Sequence, residues 1–203
     1  MSDELPIKKS LSLAIINNEF TWYAIARLLF ITGLRMSPVL LGWRMYELTG
    51  SKLSIGILGL SEVIPAIALA LPAGVRVDRS NKHKLISVCI ALYFILILGL
   101  LLVTSAWFEM HNSKKIIEWS IYALVFGTGV VRAYSGAAFN SFMAQLVPVT
   151  SLVKAVSLNS MVWLTAAVIG PASAGLLMGY ANISIAFIIA CSQINYSNEY
   201  IRT

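Results

Sequence analysis

Arg35, Glu62 and Arg132 are charged side chains inside stretches that are otherwise apolar or small. An ionised group within a bilayer-spanning segment costs about 2.5–3.5 kcal/mol on insertion scales, so such a residue is a functional candidate by default. The chemistry open to these three is charge pairing and proton exchange at the carboxylate. Covalent catalysis is not suggested. His83 and His111 fall in loops on opposite sides, and neither G-x-S-x-G nor H-E-x-x-H occurs. No G-x-x-x-x-G-K-[ST] is present to hold ATP. Cys89 and Cys191 lie in apolar surroundings and read as small core residues, not as a disulfide or metal framework. The expectation is a protein with no catalytic residues, no metal and no cofactor.

The elements that must position these charges follow from composition. Hydrophobic residues make up 58% of the chain and charged residues 12%, about half the charge of a soluble domain. Such a chain cannot cover its surface with polar groups, so its partner is the lipid bilayer. The formal net charge of +6 does not point to nucleic acid, because the cations flank apolar spans instead of forming one basic face. A spanning helix needs roughly 20 apolar residues. Residues 21–46, 53–75, 85–108, 116–138 and 152–180 qualify, and a sixth run begins near Ile183. That run gives way to the polar "NYSNEYIRT", so the chain is expected to be cut off inside its sixth helix, a short re-entrant end being the alternative. The organisation expected is a cytoplasmic segment 1–20, a membrane bundle 21–194 and a polar tail 195–203. "MSDELPIKKS" opens with two acids and is not a signal peptide.

Loop cations set the orientation. With the N-terminus inside, Lys8, Lys9, Arg76, Arg79, Lys82, Lys84 and Lys154 are cytoplasmic, against Lys52, Lys114 and Lys115 outside. The expectation is a multi-pass protein of the cell (plasma or inner) membrane with a cytoplasmic N-terminus. Trp22, Trp43, Trp107 and Trp119 fall near span ends, where amphipathic rings prefer the interface, and only Trp163 lies inside a span.

Depth separates the first-helix arginines. Arg44 is near the outer end and can snorkel. Arg27 lies about 9 Å from the inner end, where snorkelling and function are both open. Arg35 lies about 16 Å, and Glu62 about 14 Å, from the outer ends of their helices. Matching depths suggest that Arg35 and Glu62 face each other, either as a structural pair or with Glu62 as a proton acceptor controlled by Arg35 and by hydration. Small residues recur on two helices: Gly56, Gly59, Ala66, Ala70 and Ala73, and then Ala166, Gly170, Ala174 and Met178, with Gly175 adjacent. Gly127, Gly129 and Gly136 recur in the fourth span. Such residues allow close helix approach. Pro65, Pro72 and Pro171 remove helical hydrogen bonds and can bend these helices.

Between the second and third spans stands Gly74-Val-Arg-Val-Asp78-Arg79-Ser80-Asn81-Lys82-His83. It resembles the inner-loop signature G-x-x-x-D-R-x-G-R-R/K of major facilitator superfamily transporters, with Asn81 for the usual glycine and His83 for the last cation. "GWRMYELTGS" (42–51) resembles the end of helix one in bacterial siderophore and macrolide exporters. "RAYSG" (132–136) resembles the fourth-helix pattern R-x-x-q-G. "GPASAG" (170–175) resembles the fifth-helix antiporter pattern G-P-x-x-G-G. The resemblance implies an all-α transporter of twelve helices in two six-helix halves, built from 3+3 inverted repeats, of which this chain supplies the N-terminal half. It implies proton-coupled export of a small amphipathic compound such as a drug or siderophore. Arg132 then serves proton coupling or substrate binding, beside Arg35 and Glu62. Gly74, Asp78, Arg79 and Lys82 form the gating signature, with Arg79 bracing Asp78. Gly170, Pro171 and Gly175 carry the antiporter motif. The partners implied are lipid, protons, a small-molecule substrate and a second transporter half or second copy. An inactive truncated fragment is the rival reading.

Overall fold

The structure, a computed structural model, describes residues 18–146 and 152–180. It is all-α, with no strand among the described residues. α1 (Asn18–Thr49) ends at Gly50, whose φ of 65° and N–H bond to the Tyr46 carbonyl stop the helix. α2 (Lys52–Ala68) and α3 (Ala70–Asp78) follow, then α4 (Lys82–Val103), α5 (Ala106–His111), α6 (Lys114–Leu146) and α7 (Leu152–Tyr180). α1, α4, α6 and α7 are each long and apolar enough to cross a membrane, and α2 with α3 passes the same test as a bent pair, which makes up to five spans among the described residues. The expected sixth run, the polar tail and the segment up to residue 17 lie outside the described residues.

Two span boundaries differ from expectation. The third span is divided, because Thr104 and Ser105 return their hydroxyls to the Leu100 and Leu102 carbonyls. The Ser105 hydroxyl then accepts from the Phe108 N–H and starts α5. The fourth span continues past Ala138 to Leu146. Asn81, in the glycine position of the loop signature, caps α4 by accepting from the Lys84 N–H at 3.3 Å.

The second span bends by 46° at Leu69. Pro72 has no N–H to offer the Ala68 carbonyl four residues back, and its ring crowds that oxygen. The Leu69 N–H still reaches the Pro65 carbonyl, and the Ala73 N–H reaches Leu69. The bend lays α3 along α6, where the Ser141 hydroxyl donates to Asp78 at 3.3 Å. Pro72→Ala is expected to straighten the span. In a chain freed of its own cysteines, disulfide formation between Asp78→Cys and Ser141→Cys should fall several-fold when Pro72→Ala is added. Unchanged yield would show that packing, not proline, sets the bend.

α1 packs along α7, and α2, α3 and α4 pack along α6. One end of the bundle, here the near end, holds the starts of α1, α4 and α7. The far end holds the starts of α2 and α6. Phe30, Met36, Leu40, Tyr93, Ile97, Leu100 and Ile121 form the fully buried centre. Leu71, Leu102, Val168 and Leu176 point outward, as side chains solvated by lipid do. Ala166, Gly170 and Ala174 are buried as the expected small-residue stripe of α7, whereas Gly56 and Gly59 of α2 have open space around them.

Candidate transport site

Two glycine crossings organise the charged residues. On α6, a Cβ at Gly129 would approach the Glu62 carbonyl oxygen to 2.2 Å and Pro65 Cγ to 2.7 Å. On α7, a Cβ at Gly170 would come within 2.6 Å of Arg35 Cβ and 3.0 Å of the Thr32 carbonyl. Each crossing brings two backbones together where only glycine fits. The first carries Glu62 and, one turn along α6, Arg132. The second carries Arg35 and, two turns back along α7, Trp163.

The ion pair is therefore not the expected one. Glu62 Oε1 accepts from Arg132 Nη1 at 2.6 Å, and Arg35 lies over the Trp163 ring, 4.9 Å from its centroid. Arg35 and Glu62 form no ion pair, although Arg35 is within electrostatic reach of both Glu62 and Arg132. Helical side chains lean toward their helix N-terminus. α1 starts at the near end, so Arg35 leans that way; α2 and α6 start at the far end. Arg132, beyond Gly129 toward the near end, leans back toward Glu62. The Glu62 side chain is only 12% exposed and that of Arg132 34%.

The pair stands between two cavities. A largely apolar one of about 210 Å³ in the far half is lined by Ser37, Leu41, Leu58, Tyr93 and Glu62, among others. A second of about 230 Å³ in the near half is lined by Arg27, Arg35, Arg132, Ser135, Asn140 and Trp163, among others. Glu62 thus faces one space and Arg132 the other.

Arg27 does not snorkel. It is 6% exposed, donates from Nη1 to the Tyr23 hydroxyl at 2.6 Å and from Nη2 to Asn140 Oδ1 at 3.0 Å, and lies over the Phe139 ring. The Tyr23 hydroxyl donates onward to the Phe139 carbonyl at 2.8 Å. Arg27 Nε is buried without a hydrogen-bond partner. Tyr23 and Asn140 escaped the sequence reading. The four-residue step from Tyr23 to Arg27 is the local signal for the first, and nothing local marks the second. Tyr122 and Glu118, also four apart, bond at 2.9 Å beneath Ser54 near the far end. Arg44 is at the far end as expected, paired with Glu47 and with Glu109 of α5.

The gating signature is assembled differently from its expected form. Asp78, the last residue of α3, takes its hydrogen bond from Ser141 of α6. Arg79, which caps α3, forms no ion pair with it. An exposed arginine loses rotamer freedom in such a pair for little gain in water, whereas the Ser141 hydroxyl is already held by α6 packing. Gly74 has open space where a Cβ would stand, so no described helix approaches it closely. Lys82 opens α4. In the antiporter-like motif, Gly170 is the α1 crossing and Pro171 is carried inside an unbroken α7. Gly175 lines a wide cavity of about 820 Å³ with Pro38, Gly42, Trp43 and Met178. Ser135, beside the crossing, is buried and returns its hydroxyl to the Arg132 carbonyl.

A bundle of apolar spanning helices, bent at proline, locked by glycine crossings and carrying a charge pair in mid-span, is the architecture of a multi-pass membrane transporter. The family model of the Major Facilitator Superfamily matches residues 23–192, and the chain belongs to that superfamily. Comparison with curated proteins and with solved structures finds no match.

Proposed function

We propose that this chain couples proton entry to the export of a small amphipathic compound, such as a drug or siderophore, with Glu62 as the proton site. The Glu62–Arg132 pair between two cavities is the observation that supports this reading. A proton reaching Glu62 from the far cavity neutralises it and releases Arg132 on the near side. The charge at the constriction then changes without either helix leaving the membrane. In this reading the near end is cytoplasmic in the cell membrane, following the loop cations. Gly170-Pro171 on the α1 crossing supports export, through the antiporter-like pattern it resembles. A second transporter half or a second copy of the chain completes the path opposite α1, α2 and α7. Arg35 belongs to the substrate side of the site and not to the proton pair.

The test is transport by the chain reconstituted in vesicles with a pH-reporting dye inside, screened with a panel of fluorescent dyes and siderophores. Wild type is expected to move protons against substrate, and Glu62→Gln to insert normally but lose the coupled flux. Normal coupled transport by Glu62→Gln would sink the proton-site assignment.

A further inference from the structure

The near cavity carries more positive charge than its surroundings neutralise. Arg27, Arg35 and Arg132 all line it. The carboxylate held by this group is that of Glu62, and Arg132 takes it. Among the described residues, neither Arg27 nor Arg35 forms an ion pair with a carboxylate. Their charges rest on ring faces and neutral acceptors: Trp163 beneath Arg35, and Tyr23, Asn140 and Phe139 around Arg27. Such contacts soften a cation's desolvation but leave its charge in place. Glu62 is within electrostatic reach of Arg35 but already paired to Arg132, so one carboxylate faces three guanidinium groups, an excess of positive charge that is costly to keep in an apolar span.

The arrangement has the form of a receptor. α1 and α6 run antiparallel, and each presents two polar groups eight residues apart toward the cavity. Arg27 meets Asn140 at the near end, and Arg35 and Arg132 stand together deeper in. Arg27 Nε, buried and without a partner, leaves one N–H donor unfilled. Trp163, on α7, is 44% exposed, so part of its ring remains open for stacking.

We propose that this cavity binds an organic anion, its charged group taken by Arg35 and Arg27 and its flat apolar body laid against Trp163. The proposal rests on the transporter reading and names the class of its substrate. A carboxylate, sulfonate or phosphate suits the planar donors of arginine. A lipophilic cation is repelled. The inside-negative potential of a cell favours outward movement of an anion, which agrees with export.

The experiment uses three probes of one shape: 2-naphthoate, neutral 2-naphthamide and the 2-naphthylmethylammonium cation. Binding to the chain in phosphatidylcholine nanodiscs is measured by calorimetry, so no transport is required. Naphthoate is expected to bind at least about tenfold more tightly than either other probe, and Arg35→Gln to weaken it by about tenfold or more. Arg35→Lys keeps the cation but not the planar donors and is expected to recover part of the affinity, separating lost charge from lost fold. Equal binding of the three probes, preference for the cation, no saturable binding, or full naphthoate affinity in Arg35→Gln overturns the proposal. Naphthoate binding by a chain that shows no proton-coupled flux overturns the transport mechanism and leaves the anion site standing. Coupled flux without naphthoate preference does the reverse.

Discussion

Arg132→Gln is expected to destabilise the bundle by about 3 kcal/mol, and adding Glu62→Gln to recover part of that loss. The single change leaves Glu62, 12% exposed, as a carboxylate without its cation between α2 and α6. Breaking a buried pair typically costs about 3–5 kcal/mol, and the lower end applies because the Arg132 side chain is 34% exposed to the near cavity. The double variant has no charge to strand, and two amides can still hydrogen-bond across the crossing. Unfolding in mixed micelles titrated with a denaturing detergent measures all four proteins of the cycle. Coupling near zero for Glu62 and Arg132 would overturn the pairing. The same cycle run on Arg35 and Glu62 should give the small coupling, because Arg35 rests on Trp163 instead.

Gly129→Ala is expected to cost at least as much as an overpacked core position, about 1–3 kcal/mol, with a larger loss for Gly129→Val. The atom in the way is a backbone oxygen at 2.2 Å, so relief requires α2 and α6 to separate along their whole contact. That separation also pulls Glu62 from Arg132, so coupled transport should fall together with stability. Gly170→Ala meets Arg35 Cβ and the Thr32 carbonyl and should behave similarly at the α1–α7 crossing. Gly136→Ala and Gly175→Ala place their methyl groups in open space and should leave stability unchanged or raise it by up to about 1 kcal/mol through helix propensity. Thermal unfolding in detergent reads the contrast. Equal effects at all four positions would mean that helix propensity, not close approach, governs these glycines.

That contrast marks how far the sequence could be read. All four glycines lie in small-residue patterns, and pattern alone could not separate the two that touch backbone from the two that do not. A stripe shows which face of a helix can be approached, and the neighbouring helix decides where it is. The loop between α3 and α4 was more legible, because Asn81 caps α4 through a bond spanning three residues. Pro72 likewise announced a bend in the second span. The hydroxyl pair Thr104–Ser105, which divides the third span, was hidden by apolar neighbours on both sides.

By itself the sequence determined that the chain is a bundle of membrane helices, roughly where each begins and ends, and that Arg35, Glu62 and Arg132 are the charges needing an account. Length, hydropathy and loop charge are one-dimensional quantities, and depth along a helix is of the same kind. Only the tertiary structure decided that Glu62 pairs with Arg132, that Arg35 joins Arg27 and Arg132 around the near cavity, and that Ser141 holds Asp78. Those outcomes depend on rotation about each helix axis and on which way each side chain leans. Both are set by the close crossings at Gly129 and Gly170, contacts between residues far apart in the chain.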